Sequence, residues 1–505
     1  MVRLLPYLLL SLELLALRQA PTGTRLQIRL TSTVGSYASK RGSPVNAVLI
    51  APVVVGGDTL LPEGSTLQGT VKGVRRVGLG LVNETAALDL EFNQVTLPEG
   101  ESFPISVRVE QVDNSRAWVS PDGRIHGVRT TSSISYRFSG YIRAALAWEV
   151  HARIALWAIK TLVVQVPEPE LYYRPGVELT LALKRPILAT PRRDPDQEAT
   201  RLTQEQREDL EPIVSEIPQR AYTPITAKPS DLVNVMFIGS RDEVGAAFTA
   251  AGWSEARPAT FRTRVEGIRA VAEGHEFRAA PMSALLLNDV EADMSWQKGL
   301  DDFSKRHHVR IWKQPETLDG QEIWVGAATR DVDFAFMRRG YRGGTHRIES
   351  DIDLERDKIA HDLEFTSCAD SVGLLDRSNI PHGTSNATGD PISTDARLAI
   401  IRLNNCDAPR VSTESLDSST LPKRGNGIER ILRRQILSAR SDLLRSNIAW
   451  RTYEGTRWVV TAIRKHRRGR SEETELASST RPTAMQRSEN VALTPFSQRR
   501  MGWLW

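Results

Sequence analysis

The sequence predicts a multidomain protein, mainly β, in which an N-terminal β-barrel or sandwich precedes an α+β domain. Short alternating apolar segments fill residues 25–110 and are typical of strands. A proline–glycine turn returns three times before a new strand, which favours a barrel or sandwich. After a charged stretch, a capped helix and further strands follow. With 505 residues and 40% hydrophobic composition, the chain can build two or three domain cores.

Residues 1–20, MVRLLPYLLLSLELLALRQA, have the pattern of a signal peptide or an N-terminal anchor. Arg3 gives a short basic start, and residues 4–17 form an apolar run that is short for a full membrane span. The alternative is an apolar N-terminal strand or helix. We therefore predict export to the periplasm or cell envelope, with membrane association left open.

Residues 25–189 are predicted to form the barrel-like domain, interrupted by one helix at residues 141–160. Proline presets one turn residue and glycine supplies a positive φ, so each repeated turn begins a strand. The glycine-rich GVRRVGLG at residues 73–80 lacks the GK[ST] ending of a phosphate loop, and we expect a hairpin there. The repeated turns are Leu61-Pro62-Glu63-Gly64, Leu97-Pro98-Glu99-Gly100 and Arg174-Pro175-Gly176.

Two segments of this region carry a resemblance to a known family. Gly42-Ser43-Pro44-Val45, together with the turn at residues 61–65, is similar to the barrel of TrbI-like conjugation-channel proteins. The alternative is a generic export-associated barrel without that ancestry.

Residues 190–230 are rich in charges and prolines, which predicts a linker with one solvated helix at residues 203–215. The second domain, residues 231–406, opens with a strand at residues 232–238. Ser240 and Glu243 then fit a capping box at the start of a helix. Further helices are predicted at residues 261–273 and 351–364, and strands at residues 285–287, 309–312, 323–327, 332–336, 372–375 and 398–403.

The central blocks of this domain resemble the LssY carboxyl-terminal domain family. They read RHHVRIW at residues 306–312, VGAATRD at residues 325–331, and TH at residues 345–346 running on to DIDLERD at residues 351–357. Residues 235–240 and 250–253 fit the same family, so that the resemblance covers residues 228–377. It implies a secretion-system component for which no reaction is established.

Histidines, carboxylates and arginines crowd together in the same stretch. One hypothesis is that they bind a divalent metal or act on a phosphoester, with arginines holding the anion. The alternative is structural, because Ser350 and Asp353 fit a capping box and acidic groups in a first turn complement the helix dipole. The candidate residues are His308, Arg310, Arg330, Asp331, His346, Asp353, Glu355, Arg356 and Asp357.

The two histidines His307 and His308 are adjacent on a predicted strand and should therefore face opposite sides. His307 shares its face with Val309 and Ile311, which predicts a hydrogen-bonded core histidine. His308 is the better candidate for a surface or pocket. An EF-hand at residue 351 is excluded, because Arg356 stands where the calcium loop needs glycine.

Cys368 and Cys406 lie on either side of the last two predicted strands. In an oxidising compartment they could form a disulfide, and the alternative is two buried reduced thiols. Two cysteines also exclude a cysteine-rich scaffold and an all-cysteine zinc site.

Residues 407–505 are predicted to be a basic helix, residues 427–449, followed by a disordered tail. The net charge of +5 is too small to indicate nucleic acid by itself, and contact with an anionic membrane surface or a solvated tail is favoured. The apolar face of this helix is predicted to hold Ile428, Ile431, Leu432, Ile436, Ala439 and Leu443.

The sequence therefore favours a non-enzymatic, exported envelope protein that acts in assembly or secretion with envelope or secretion-system partners and without a cofactor. The alternative is a phosphoester hydrolase or metal-binding enzyme that uses the cluster between His308 and Asp357. A pocket in which His308, His346 and a carboxylate converge would favour the enzyme.

Overall fold

The computed structural model describes residues 18–78, 84–129, 169–191, 201–258, 260–263, 265–267, 280–300, 304–336, 344–377 and 379–406, with single positions at 277, 432, 436, 437, 440, 452, 456, 459, 460 and 463. Most of the predicted signal segment, the predicted helix at residues 141–160 and most of the tail lie outside these residues. The chain divides into two compact units, residues 1–441 and 442–505. All contacts below lie within the first unit.

The N-terminal region is built from strands in its described part. Its central sheet has the order β10-β14-β2-β4-β7-β8-β12-β11, with β9 added beside β8. The strands are β1 (Arg18–Ala20), β2 (Arg25–Leu30), β3 (Val34–Gly35), β4 (Pro44–Leu49), β5 (Val53–Val55), β6 (Asp58–Leu61), β7 (Thr66–Arg75), β8 (Ala87–Thr96), β9 (Ser102–Pro104), β10 (Val107–Val112), β11 (Trp118–Val119), β12 (Ile125–His126), β13 (Tyr172–Tyr173), β14 (Glu178–Leu183) and β15 (Ile187–Ala189).

This sheet curls into a nearly closed barrel because β10, at one end of the order, also lies beside β8 and β11. Alternate residues of β2 point inward, so that Leu26, Ile28 and Leu30 are buried in one apolar core. The predicted turn chemistry is present, since Gly64 and Gly176 have φ values of +79° and +91°. The predicted barrel-like fold is thereby confirmed.

Strand β1 corrects the predicted end of the signal segment. It pairs antiparallel with β15, and Ala20 is buried in the barrel core. Residues 18–20 were predicted to end the signal segment, but they belong to the folded domain. Cleavage after Ala20 would remove this strand.

The second domain is mixed α/β. Its main sheet has the order β19-β22-β23-β24-β18-β29-β26, with β25 paired to β24, and only β18 and β29 run parallel among its described strands. Its elements are α1 (Gln204–Glu216), β16 (Arg220–Tyr222), β17 (Pro229–Leu232), β18 (Val235–Ile238), α2 (Arg241–Ala250), β19 (Ser254–Glu255), β20 (Leu286–Leu287), β21 (Val290–Glu291), β22 (Met294–Lys298), β23 (Arg306–Leu318), β24 (Gln321–Phe336), β25 (Gly344–Ile348), α3 (Asp353–Phe365), β26 (Ala369–Asp376), β27 (Gly383–Ser385), β28 (Pro391–Ser393) and β29 (Arg397–Leu403).

Helices cover both faces of this sheet. Val244 and Phe248 of α2 and Leu363 of α3 pack on one face, and Leu210 and Val214 of α1 pack on the other. The prediction of a linker at residues 190–230 is therefore wrong for residues 201–230. The charged composition gave no sign of this contact, because α1 packs against the sheet mainly through two buried residues four positions apart, Leu210 and Val214.

The structure confirms one of the two predicted capping boxes. At α2, the Ser240 hydroxyl accepts from the Glu243 amide and the Glu243 carboxylate accepts from the Ser240 amide. The box predicted at Ser350 and Asp353 is wrong, because the N-cap of α3 is Ile352, which makes no side-chain cap.

The first turn of α3 is held differently from the predicted box. The Asp351 carboxylate accepts from the Asp353 amide at 3.2 Å. The Asp353 carboxylate accepts from the Thr394 hydroxyl and from the Asp395 amide instead of capping the helix. Asp353 thus ties the helix start to the loop before β29.

Two features lie towards the end of the described chain. Cys368 and Cys406 form a disulfide.

Leu437 is buried in the barrel core, whereas Leu432 and Ile436 are 57% and 47% exposed. Among the described residues, the structure contains no helix of the length and apolarity needed to span a membrane.

Candidate functional site

The hairpin of β23 and β24 distributes the candidate residues over two faces of the sheet. His307 pairs with Arg330 across the hairpin, and His308 pairs with Thr329. Because side chains alternate along a strand, His307 and Arg330 share the face covered by α2 and α3, and His308 faces the other side. The two histidines therefore face opposite sides, as predicted.

On the first face, His307 bridges the barrel and the second domain. Its Nδ1 lies 2.5 Å from Glu355 Oε2 of α3, and its Nε2 lies 2.7 Å from Asp113 Oδ2, which follows β10 of the barrel. Arg330 Nη2 donates to the other oxygen of Asp113 at 2.5 Å. Two of the candidate residues, Arg330 and Glu355, thus serve contacts with the barrel.

The His307 imidazole carries a positive charge at neutral pH. Burial alone would lower its pKa, but the carboxylates of Asp113 and Glu355 outweigh burial and raise the pKa to about 9. Burial likewise opposes ionisation of Asp113, yet His307 and Arg330 hold the pKa of that carboxyl below its ordinary value. The protonated ring therefore donates one hydrogen bond to each domain.

A second buried ion network lies at the same boundary. Lys298 of β22 donates to Glu178 at 2.8 Å and to Asp362 at 2.9 Å, which joins the barrel strand β14 to α3. Lys358 of α3 lies 2.9 Å from Glu178 and 2.6 Å from Asp362. Arg29 of β2 completes the network, 2.8 Å from Glu178 and 3.4 Å from Asp362.

Burial and charge compete strongly in this network. Burial would raise the pKa of Glu178, but Lys298, Lys358 and Arg29 hold it well below its ordinary value. Burial lowers the pKa of Lys298, and repulsion from Lys358 and Arg29 adds to that effect against the attraction of Asp362 and Glu178. The carboxylates remain ionised and hold both domains.

Helix α3 lies between the sheet and the barrel, which explains its composition. Ile359 and Leu363 pack on the sheet, while Phe365 packs against Val48 and Ile50 of the barrel region. Arg29 also lies over the Phe365 ring at 5.1 Å. Lys358 and Asp362 of α3 are buried because the barrel covers the helix face on which they lie.

On the second face, two candidate histidines and one further arginine converge on the candidate residue Asp331. Asp331 Oδ2 lies 3.8 Å from His308 Nδ1, 3.4 Å from His346 Nδ1 and 3.0 Å from Arg306 Nε. His308 Nε2 is paired with the Thr329 hydroxyl at 2.8 Å. Burial lowers the pKa of His308 to about 3, so that its ring is neutral.

The arrangement around Asp331 combines a carboxylate with an arginine that already neutralises it. In the part of the chain that the structure describes, no group of three His, Cys, Asp or Glu side chains is arranged to hold a metal ion. Arg310, the next residue on this face, is bound to Asp231 at 3.1 Å and to the Ser283 hydroxyl.

The remaining candidates, Asp353, Arg356 and Asp357, lie at the start of α3. Arg356 is buried and donates to Asp353, Asp357 and Asp395. The hydrogen bonds from Arg356 and Arg397 overcome the effect of burial and lower the pKa of Asp395. The predicted single cluster is thus divided among an interface, a sheet face and a helix start.

Six residues of the interface were not among the predicted site residues. Four of the six had a sequence signal, and for two of these it is a charged residue in a mostly apolar strand, Arg29 in LQIRL and Glu178 in VELTLAL. A second signal is the i, i+4 pair on α3. These residues are Arg29, Asp113, Glu178, Lys298, Lys358 and Asp362.

Comparison with known proteins relates one part of the chain to a family. Residues 215–398, from α1 into β29, match the family model described as LssY C-terminus. Among solved structures, ComB10 of the Com type IV secretion system of Helicobacter pylori matches with a TM-score of 0.20 and 11% identity, covering 35% of this chain and 93% of ComB10. The comparison with curated proteins gives no match.

Proposed function

We propose that the protein is a non-enzymatic, exported component of the cell envelope that acts in assembly or secretion, with the barrel and the LssY-like domain held together as one working unit. The observation that carries this proposal is that the ionisable groups around His307 hold the two domains together. His307 and Arg330 bind Asp113 of the barrel, and Glu355 binds the other nitrogen of His307.

The state of these groups supports a structural role. His307 is 3% exposed and is bound across the domain boundary to Asp113, and Glu355 is 2% exposed and is bound to His307. A substrate could reach them only by displacing the barrel, which would leave buried charges without partners at a cost of several kcal/mol.

Two observations favour export. The disulfide between Cys368 and Cys406 suits an oxidising compartment, because cytosolic thiols are usually kept reduced. The N-terminal apolar run has the length of a signal peptide. The match to LssY C-terminus agrees with the secretion role that the sequence resemblance implies.

Complementation of a deletion strain tests the proposal. The strain would receive the wild type, Asp331→Asn or Asp113→Ala, and the proteins of its envelope and culture medium would be compared after equal expression is verified. We expect Asp331→Asn to restore the wild-type profile and Asp113→Ala to fail, because the interface and not the Asp331 site carries the role. A folded Asp331→Asn protein that fails to complement would contradict the proposal.

The enzyme alternative, a phosphoester hydrolase or a metal-binding enzyme, has one observation in its favour. His308 and His346 lie beside the Asp331 carboxylate, which brings imidazole and carboxylate groups together as in an acid–base site. Metal analysis and a phosphatase and esterase screen of purified wild type and Asp331→Asn address it directly. Turnover that Asp331→Asn abolishes would replace our proposal with the enzyme.

We also propose that the basic segment at residues 427–470 contacts anionic lipid rather than nucleic acid. Its charge is concentrated in RKHRRGR at residues 464–470, and such clusters are attracted to acidic headgroups. Co-sedimentation with vesicles containing phosphatidylserine should exceed co-sedimentation with neutral vesicles. Equal sedimentation with both would remove the lipid contact.

A further inference from the structure

A cavity of about 490 Å³ opens where the barrel meets the second domain. The barrel contributes Arg29, Asp113, Arg174 and Glu178 to its wall, and the second domain contributes Gln297 and Lys298. This volume suits a small organic molecule, and sites between domains are frequent places for such ligands.

The charges around the cavity do not balance. Arg29, Lys298 and Lys358 share two carboxylates, Glu178 and Asp362, so that one positive charge remains in excess. The neighbouring His307 cluster adds no net charge. Its two cations, the protonated His307 ring and Arg330, balance its two carboxylates, Asp113 and Glu355.

Arg174 adds a second positive charge at the cavity wall. It is exposed, and its guanidinium has no ion-pair partner among the residues that the structure describes. The lowered pKa of Lys298 agrees with this excess, because burial and two neighbouring cations disfavour its charge. An anion in the cavity would offset the excess positive charge of Arg174 and of the Lys298 network.

The wall also offers hydrogen-bond acceptors to a ligand that carries hydroxyl groups. The Asp113 side chain is 19% exposed and the Glu178 side chain 6%, whereas Lys298 is 13% exposed. Cations beside carboxylates suit a molecule that joins an anionic group to hydroxyl groups.

We propose that this cavity binds the phosphate ester of a small polyol, with the phosphate bound by Arg174 and attracted by the excess positive charge around Lys298, and with the hydroxyl groups towards Asp113. This chemistry occurs both in free glycerol phosphate and in the headgroup of phosphatidylglycerol. The inference goes beyond the proposed envelope role and depends on the interface alone.

Titration calorimetry on the full-length protein tests the site. The probes are glycerol 3-phosphate, glycerol as the uncharged analogue, and sodium sulfate at matched ionic strength. We expect glycerol 3-phosphate to bind and glycerol not to bind. Arg174→Gln should weaken the binding at least tenfold, while the matched variant Arg41→Gln, which alters an exposed arginine outside the cavity wall, should leave it unchanged.

Vesicles containing phosphatidylglycerol, compared with phosphatidylcholine vesicles, identify the source of the ligand. Binding to phosphatidylglycerol that Arg174→Gln weakens, without binding of the free ester, assigns the site to the lipid headgroup. No binding of either source overturns the proposal, and so does equal weakening by Arg174→Gln and Arg41→Gln. Unchanged melting of the unliganded variants would show that both remain folded.

Discussion

At the scale of single residues, His307 shows how a buried charge can join two domains. A protonated imidazole between two carboxylates satisfies three groups that would each be costly to bury alone. The charge persists because Asp113 and Glu355 raise the pKa of the ring to about 9 against the effect of burial. The contact between the domains should therefore depend on pH.

We predict that His307 stabilises the protein only while it is protonated. Its folded pKa of about 9 lies above the ordinary value of 6.5, so its contribution is complete below about pH 6.5 and is lost as the pH rises through 9. The wild type should exceed His307→Gln in unfolding free energy by about 3 kcal/mol more at pH 6 than at pH 10. Denaturant titrations of both proteins across this range measure the difference.

A suitable control for the pH series is His382→Gln, because His382 Nδ1 lies 3.1 Å from the Thr394 carbonyl and contacts no carboxylate in the described structure. This variant controls for the loss of an imidazole that does not bridge the two domains. A constant difference between the wild type and His307→Gln would mean that folding does not raise the pKa of His307, which would contradict the charged bridge.

The residue scale also shows how far local patterns reach. The period of a strand predicted that His307 would be buried and that His308 would face the other way, and both follow from β23 alone. No local pattern could supply Asp113, since it is 194 residues away in the sequence. The chemistry of His307 is therefore decided by the tertiary fold.

At the scale of elements, the two capping boxes differ because of what surrounds each helix start. At α2 the first turn meets solvent, so the side chains of Ser240 and Glu243 satisfy the free amides. At α3 the neighbouring loop takes the Asp353 carboxylate through Thr394 and Asp395. The same sequence signal thus predicted one cap correctly and failed where a tertiary contact competed.

A pair of matched substitutions should separate these two helix starts. Ser240→Ala removes a cap that is present and should destabilise the second domain by about 1 kcal/mol. Ser350→Ala removes no cap and should change stability by less than about 0.5 kcal/mol. Equal losses in chemical denaturation would show that Ser350 caps α3 after all.

The disulfide also acts at the scale of elements. It links the chain just after α3 to the chain just after β29. Protein purified without reductant and then denatured should show no free thiol, because the structure pairs both cysteines. The double variant with serine at Cys368 and Cys406 should lose about 2–4 kcal/mol. Two reactive thiols per chain would favour the reduced alternative.

At the scale of the whole molecule, buried charges lie where the barrel meets the second domain, which composition did not indicate. Composition predicted a charged linker with a solvated helix at residues 203–215, yet this helix, α1, packs on the sheet. Lys358 and Asp362 of α3 are buried at the boundary with the barrel. The fold class followed from turns and strand periodicity, which are local. The interface depends on contacts between β2, β14 and α3, and sequence patterns do not report contacts at such separations.

Glu178 is the residue through which this assembly is best tested, because its carboxylate binds Arg29, Lys298 and Lys358 at once. Glu178→Gln leaves three buried cations with one remaining carboxylate and should destabilise the protein by about 3 kcal/mol. Glu110→Gln is the matched control, since Glu110 pairs with Arg25 on the exposed barrel surface. This substitution should change stability by less than about 1 kcal/mol.

Hydrogen exchange should rise in β14 and α3 of Glu178→Gln while α2 keeps its protection, because we expect the domains to separate before either one unfolds. Unchanged exchange in α3 would show that apolar contacts such as Phe365 with Val48 and Ile50 hold the domains without the ion network.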